Sequence, residues 1–289
     1  MTKQKLQSQG WGWKWPAPAK LNLLLRITGR RADGYHLLQS VFQLIDLCDW
    51  LTFQPLEENL VGLIKPIPGV PEQEDLTVRA ANLLKQESGY AKGVRIGIEK
   101  NLPMGGGLGG GSSDAATTLL ALNHLWELGF SVEKLMEFGL RLGADVPVFV
   151  YGYSAWAEGV GEKLSPVELP EDWFVIVKPD CHVNTREIFL ADELTRDSKV
   201  ITIHDFTKGL VDNDCTAVVR KLYPEVDNAL NELAKFGHSR LTGTGACVFA
   251  QYQDKNEALQ ASQKVMHLGQ VYVAKGLNRS PVYEMVSQE

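Results

Sequence analysis

The spacing of apolar residues changes several times along the chain, and each change marks an element. Lys20 to Ile27 is an apolar run that predicts a strand, closed by the turn signal Thr28 to Gly34. Tyr35 to Leu47 is mostly apolar, and Trp50 to Phe53 predicts a further strand. Val61 to Gly69 predicts another, ended by Pro66, Pro68 and Pro71. Leu76, Ala80, Leu83 and Leu84 repeat at helical spacing over Leu76 to Gln86. Val94 to Glu99 alternates as a strand and runs straight into a stretch dominated by glycine. Behind that stretch a helix is predicted to Leu128, and a second is opened by Ser131 with Lys134 at the other capping position. A third, short helix starts near Asp145, with Pro147 in its first turn. Tyr153 to Glu158 predicts a strand.

Composition then shifts. Ser165 to Asp172 carries two prolines and three acids, and the domain boundary is placed there, dividing the chain into residues 1–165 and 166–289. The second half opens on the strand Trp173 to Val177, followed by helices over 186–190, 214–222 and 226–236. A second glycine-rich segment, Leu241 to Ala246, leads into a strand, a helix from Lys255 to Met266 and the strand Val271 to Ala274. This order predicts an α+β protein whose second half has two layers. Ahead of the first strand, Trp11, Trp13 and Trp15 alternate, which suits either a strand leading into the body or a loose apolar tail.

Composition and charge narrow the function. The 289 residues, 44% of them hydrophobic, suffice for one large or two medium domains. A net charge of -6 with no long basic run argues against a nucleic-acid groove as the main function. Cys48, Cys181, Cys215 and Cys247 lie far apart without metal-ligand spacing and read as reduced, mostly buried thiols of a cytoplasmic protein. No segment is apolar and long enough to span a membrane, and no secretory signal is expected at the amino terminus.

The strongest chemical signal is the run from Leu102 to Asp114, with six glycines in seven positions and Ser112 and Ser113 directly behind. A loop without Cβ atoms can turn its N–H groups inward, and the helix start that follows adds unpaired N–H groups and a positive dipole end. Together they make a phosphate cradle. It is not a Walker loop, since no lysine precedes Ser112. Gly105, Gly107 and Gly110 match the dinucleotide spacing, but the first strand of the chain lies far upstream; that alternative stays open. Ser112 or Ser113 caps the helix, faces a phosphate or its Mg²⁺, or does both, and Asp114 suits the first turn.

Phosphate transfer also needs a group to orient the attacking hydroxyl and stabilise charge. Asp145, in Gly143 to Pro147, is either such a base or an N-cap aspartate. Lys20, at the head of its strand, is either a solvated end or an inward cation that keeps a neighbouring carboxylate ionised. Asn22 shares its face.

Pro18 to Leu23 with Arg31 to His36, Leu102 to Ala116 with Leu142 to Phe149, and Arg240 to Ala250 resemble the GHMP kinases, the superfamily of galactokinase, homoserine kinase, mevalonate kinase and phosphomevalonate kinase. The likeness spans Trp15 to Pro281. It implies a two-domain GHMP kinase fold: an N-terminal ATP-binding domain like the second domain of a ribosomal protein or elongation factor, and a ferredoxin-like C-terminal domain. The blocks Arg31 to His36 and Leu142 to Pro147 point further, to transfer of the ATP γ-phosphate, with Mg²⁺, to the 2-hydroxyl of diphosphocytidyl-methylerythritol in non-mevalonate isoprenoid synthesis. The resemblance then makes Asp145 the general base and Lys20 its partner. The ATP phosphates are wrapped by Pro103, Met104, Gly105, Gly106, Gly107, Leu108, Gly109, Gly110, Gly111, Ser112 and Ser113, with Lys100 on the nucleotide side.

Asn22 lies beside the acceptor, Tyr35 and Phe189 stack on the cytosine, His36 bonds its edge, and Thr185 sits in the same segment. Read without the resemblance, Phe189 is a core residue and His36 a satisfied strand histidine. Leu241 to Ala246 closes on the substrate end or is an ordinary turn. Asp75 falls where such enzymes often carry an asparagine near the adenine. The partner implied is the small cytidyl substrate, with no protein metal site, no nucleic acid and no membrane, for a monomer or weak homodimer in the cytoplasm. Three other readings compete: a homoserine- or mevalonate-type kinase, a nucleotide sensor without catalysis, and a nicotinamide-dependent oxidoreductase.

Overall fold

In the computed structural model, which describes residues 10–32 and 34–286, β1 (Trp15–Arg30) and β2 (His36–Leu56) form one long antiparallel hairpin. Its register runs from Trp15 opposite Leu51 to Arg30 opposite His36. The two apolar stretches on either side of Leu47 are therefore a single strand. The aspartates between them do not break it because both are bonded. Asp46 accepts from the Lys275 N–H at 2.7 Å, and Asp49 from the N–H groups of Asn101 and Leu102 at 2.6 and 2.8 Å. Pro16 and Pro18 sit in β1, whose only ladder partner is β2 among the described residues, so their missing N–H groups cost nothing.

β3 (Val61–Leu63) is shorter than the apolar pattern suggests and leaves the sheet before Pro66. It pairs parallel with β4 (Gly93–Glu99), which runs antiparallel to β2. β5 (Ala155–Glu158) adds to β2 at Ser40 to Phe42, and β6 (Lys163–Pro166) adds to β5. Four helices belong with this sheet: α1 (Leu76–Ser88) and α2 (Gly110–Leu125) pack on it, and α3 (Val132–Leu142) and α4 (Val146–Tyr151) pack against α2. Trp15, Phe53, Leu119 and Phe138 are in the core between sheet and helices. Trp11 is buried there too, but Trp11 and Trp13 precede the strand, which begins only at Trp15.

The second sheet has the order β10 (Gln270–Leu277), β7 (Trp173–Lys178), β9 (Val248–Tyr252), β8 (Arg240–Leu241), all antiparallel. Between β7 and β8 run α5 (Thr185–Leu190), α6 (Ile203–Thr207), α7 (Thr216–Leu222) and α8 (Pro224–Leu233); α9 (Lys255–Val265) follows β9. α8 and α9 pack on this sheet, giving the two layers expected.

β1 joins the halves. Its outer residues Leu25 and Ile27 belong to the second core, while Leu21 and Leu24 pack with Leu108, Phe174 and Phe249 between the lobes. The chain then returns: Gly276 and Leu277 of β10 pair with Ile45 and Leu44 of β2, and α10 (Val282–Val286) lies on the first core. The division at 165/166 falls inside β6, and the final stretch rejoins the first lobe.

Candidate active site

Gly105, Gly107 and Gly109 all have positive φ, +67°, +77° and +75°, so the loop needs a backbone that side chains resist. Contacts add a second reason. A Cβ on Gly109 would lie 2.7 Å from the Phe149 ring, and one on Gly107 would lie 2.6 Å from the Thr242 carbonyl oxygen. The loop is thus pressed against α4 and against the second glycine-rich segment. Backbone bonds hold the two loops together: the Cys247 N–H donates to Gly106 O at 3.1 Å and the Ala246 N–H to Gly105 O at 3.4 Å.

Gly109, not a serine, is the N-cap of α2. Ser113 is fully buried and turned away, its hydroxyl donating to Pro18 O at 2.7 Å; one helical turn on, Thr117 does the same to Pro16 O at 3.1 Å. The expectation that Ser113 wraps a phosphate is corrected: on the helix face toward β1 it ties off strand-edge carbonyls that would otherwise be buried without a donor. Ser112 is the serine that opens on the cavities. Asp114 is likewise not at the first turn's surface but buried beneath it.

Lys100 reaches inward between two carboxylates, Asp49 and Asp114, the latter at 2.8 Å. Burial works against its charge, but Asp114 and Asp49 outweigh this and hold its pKa above the ordinary value. Burial in turn pushes the Asp114 carboxyl up to about 7 against the pull of Lys100, with Asp49 adding to the rise. This triad anchors the strand that enters the loop.

Lys20 is 2% exposed, and its ammonium has three donors and three acceptors around it. They are Asn22 Oδ1 at 2.7 Å, Gly107 O at 3.0 Å and Asp145 Oδ2 at 3.5 Å. A buried ammonium persists only when paired in this way; the solvated strand end is excluded. Asn22 is fixed in turn, donating to Ser40 Oγ at 2.8 Å and receiving Thr242 Oγ1 at 3.4 Å. Asp145 occupies the N-cap position of α4 but makes no side-chain capping bond, and its carboxylate is 40% exposed. The cap reading fails, and the carboxylate is left to face Lys20.

Two cavities meet at Asp145. One, of about 410 Å³, follows the loop from Pro103 to Ser112 and includes Lys100 and Asp114. Ile67, Val70, Leu76 and Ile98 give it an apolar wall, and Met104 lies on it, 58% exposed. Ile67, Val70 and Ile98 were not singled out from the sequence and Leu76 only as part of a helical repeat; their shared side of the fold brings them together. Asp75, also on this wall, is committed to α1, its carboxylate accepting from the Thr77 N–H at 2.8 Å. The other cavity, of about 880 Å³, brings together Lys20, Asn22, Tyr35, His36, Thr185 and Phe189. Gly107, Ser112 and Asp145 wall both.

In the second cavity Thr185 and Thr244 share a hydroxyl bond of 2.9 Å, linking α5 to the second glycine-rich segment. Tyr35 is 62% exposed at the mouth. His36 and Phe189 stack directly on each other, ring centroids 5.1 Å apart and planes at 24°. Burial, then the charges of Arg196 and Arg30, lower the His36 pKa. Arg196, which the sequence did not single out, donates to His36 Nε2 at 3.3 Å.

The chain matches the model of the GHMP kinases N terminal domain over residues 75–153 and that of the GHMP kinases C terminal over residues 202–268. It is 57% identical to a 4-diphosphocytidyl-2-C-methyl-D-erythritol kinase of Nitrosococcus oceani, over 90% of this chain and 93% of that one. The enzyme of the same name from Methylococcus capsulatus is 55% identical over 93% of both. A crystal structure of 4-(cytidine 5'-diphospho)-2C-methyl-D-erythritol kinase superposes with a TM-score of 0.81 at 31% identity, over 91% of this chain and 98% of that one. Homoserine kinase from Cytophaga hutchinsonii, at 17% identity and a TM-score of 0.70, shares the fold.

Proposed function

Since the chain belongs to the GHMP kinases, and among them to the 4-diphosphocytidyl-2-C-methyl-D-erythritol kinases, we propose that it transfers the γ-phosphate of ATP to the 2-hydroxyl of that cytidyl polyol. The observation that carries the reading is the Lys20–Asp145 pair, set where a glycine-loop cavity and a cavity lined by aromatic rings share a wall. ATP takes the first cavity, its phosphates along Pro103 to Ser112 and its base against Ile67, Val70, Leu76 and Ile98. The cytidyl substrate takes the second, its base among Tyr35, His36 and Phe189. Because the rings of His36 and Phe189 touch in this conformation, a base entering between Tyr35 and Phe189 meets them as a pair and not as separate walls.

Asp145 removes the proton of the acceptor hydroxyl as its oxygen bonds to the γ-phosphorus; the bond to the β-phosphate oxygen breaks and ADP leaves. Lys20, 3.5 Å from Asp145 Oδ2, turns a positive charge toward the reacting oxygens, while Asn22 and Gly107 hold the ammonium in place. Mg²⁺ needs few protein ligands when phosphate oxygens supply the rest, and Ser112, on the shared wall, fits that role. When bound it neutralises phosphate charge. In this reading residues 1–165 and 166–289 are the two domains, apart from the final stretch returned to the first. The enzyme works in the cytoplasm as a monomer or weak homodimer, with neither nucleic acid nor membrane as partner.

The test is direct. Purified protein is incubated with Mg-ATP and a panel of alcohols that includes the cytidyl polyol, homoserine and mevalonate, and ADP release is followed. Turnover with the cytidyl polyol alone is expected; turnover with homoserine or mevalonate instead would overturn the substrate assignment.

A further inference from the structure

Arg196 lies in the segment that follows α5 (Thr185–Leu190), and its guanidinium bonds His36 and the carbonyls at and just beyond the end of that helix. Nε donates to His36 Nε2 at 3.3 Å. Nη2 donates to the carbonyls of Phe189 at 3.0 Å and Ala191 at 2.7 Å, and Nη1 to that of Leu194 at 3.1 Å. Phe189 and Ala191 end α5, where carbonyls lack an intrahelical partner. One side chain therefore ties down the helix end that carries Phe189 and holds the imidazole stacked on it.

The bond to His36 has a chemical consequence. A guanidinium can only donate, so the nitrogen it meets carries no proton. His36 is then neutral with its proton on Nδ1. Burial and the neighbouring cations Arg196 and Arg30 lower its pKa, which favours the same neutral form. A ring locked in this tautomer presents an N–H. Cytosine offers acceptors at O2 and N3, whereas uracil carries a hydrogen on N3. A histidine free to exchange its tautomer could meet either base at N3; one locked as a donor bonds N3 of cytosine but not the N3–H of uracil, while O2 accepts in both bases and carries no choice.

We propose that Arg196 is a positioning residue for the choice of base, holding His36 as an Nδ1–H donor and Phe189 beside it so that cytosine is accepted and uracil refused. This role rests on the reading of the cavity as a cytosine site. A lysine could not replace the arginine, because it lacks the rigid fork that serves imidazole and carbonyls together.

Two measurements on the full-length protein test it. Long-range proton–nitrogen spectra of the parent report which ring nitrogen of His36 is protonated. Nδ1 is expected, and a proton on Nε2 overturns the proposal whether or not any variant folds. In steady-state kinetics, Arg196→Met and Arg196→Lys should narrow the preference for the cytidyl over a uridyl substrate by about tenfold, the size of one well-made hydrogen bond between neutral groups. The loss should fall on the acceptor KM, with the KM for ATP unchanged. Full preference in a folded Arg196→Met protein overturns the proposal. His36→Ala separates the two levels. If it loses the preference while Arg196→Met keeps it, the cytosine site stands and only the role of Arg196 falls. If His36→Ala keeps the preference, the cytosine reading falls and this role with it.

Discussion

Asp145 stands where an N-cap aspartate would stand and yet caps nothing. That makes its removal informative. Asp145→Asn keeps the shape and cannot take a proton, so kcat should fall by roughly 10²–10⁴-fold, the usual worth of a general base. Nucleotide affinity by calorimetry and the melting temperature should both stay at the parent's values. Near-parental turnover would return Asp145 to a purely structural place. Lys20→Met keeps much of the apolar stem and removes the charge that Asn22, Gly107 and Asp145 surround. Its kcat should drop strongly and its acceptor KM rise more than its KM for ATP. A variant that loses stability alone, with kinetics intact, would deny Lys20 a part in the chemistry.

At the scale of the element, the glycine loop is shaped by what it rests on. The positive φ of Gly107 and the Thr242 carbonyl 2.6 Å from its missing Cβ make Gly107→Val incompatible with the second glycine-rich segment even before a phosphate arrives. Nucleotide titration of a folded Gly107→Val protein should show affinity lost; unchanged affinity would mean that the cradle lies elsewhere. Beneath the same loop, Asp114 couples the element to pH. Its carboxyl, raised to about 7 by burial first, holds its proton more tightly in the folded chain than in the unfolded one. The stability this contributes is complete below the unfolded pKa of about 3.9 and is lost as pH rises through the folded value. Asp114→Asn cannot ionise, so denaturant titrations at about pH 5 and pH 8 should show the variant gaining on the parent at the higher pH. Parallel behaviour at both would show Asp114 already ionised throughout.

At the scale of the molecule, the aromatic cavity exists only because two lobes close on it. Tyr35 and His36 come from the β1–β2 hairpin, and Phe189 comes from α5. Tyr35→Ala and Phe189→Ala should each cost about 1–3 kcal/mol of cytidyl-substrate binding, as single base-stacking rings do. With ATP assigned to the other cavity, its KM should not move. Unchanged kcat/KM for the cytidyl substrate in both variants would place the base elsewhere.

The sequence by itself determined the parts of this protein whose physics is local. Glycine density predicts a loop of positive φ because no Cβ stands in the way, and Pro147 marks a helix start because proline needs no N–H there. Most strands and helices follow from period for the same reason, the short β6 and β8 strands and the α6 and α10 helices escaping because so few residues carry their pattern. The motifs also named the lysine, the aspartate and the rings that fold together around the second cavity.

What only the tertiary structure decided was direction. Ser112 and Ser113 are neighbours of one type, and the turn of a helix sends one to the cavities and the other to the carbonyl of Pro18. The apolar wall of Ile67, Val70, Leu76 and Ile98 belongs to no single period, since a loop, a helix and a strand each supply part of it. Arg196 looks like any surface arginine until folding brings His36 against it. A side chain's neighbours along the chain fix its backbone; its function depends on groups far away in sequence, and only packing brings those within bonding distance.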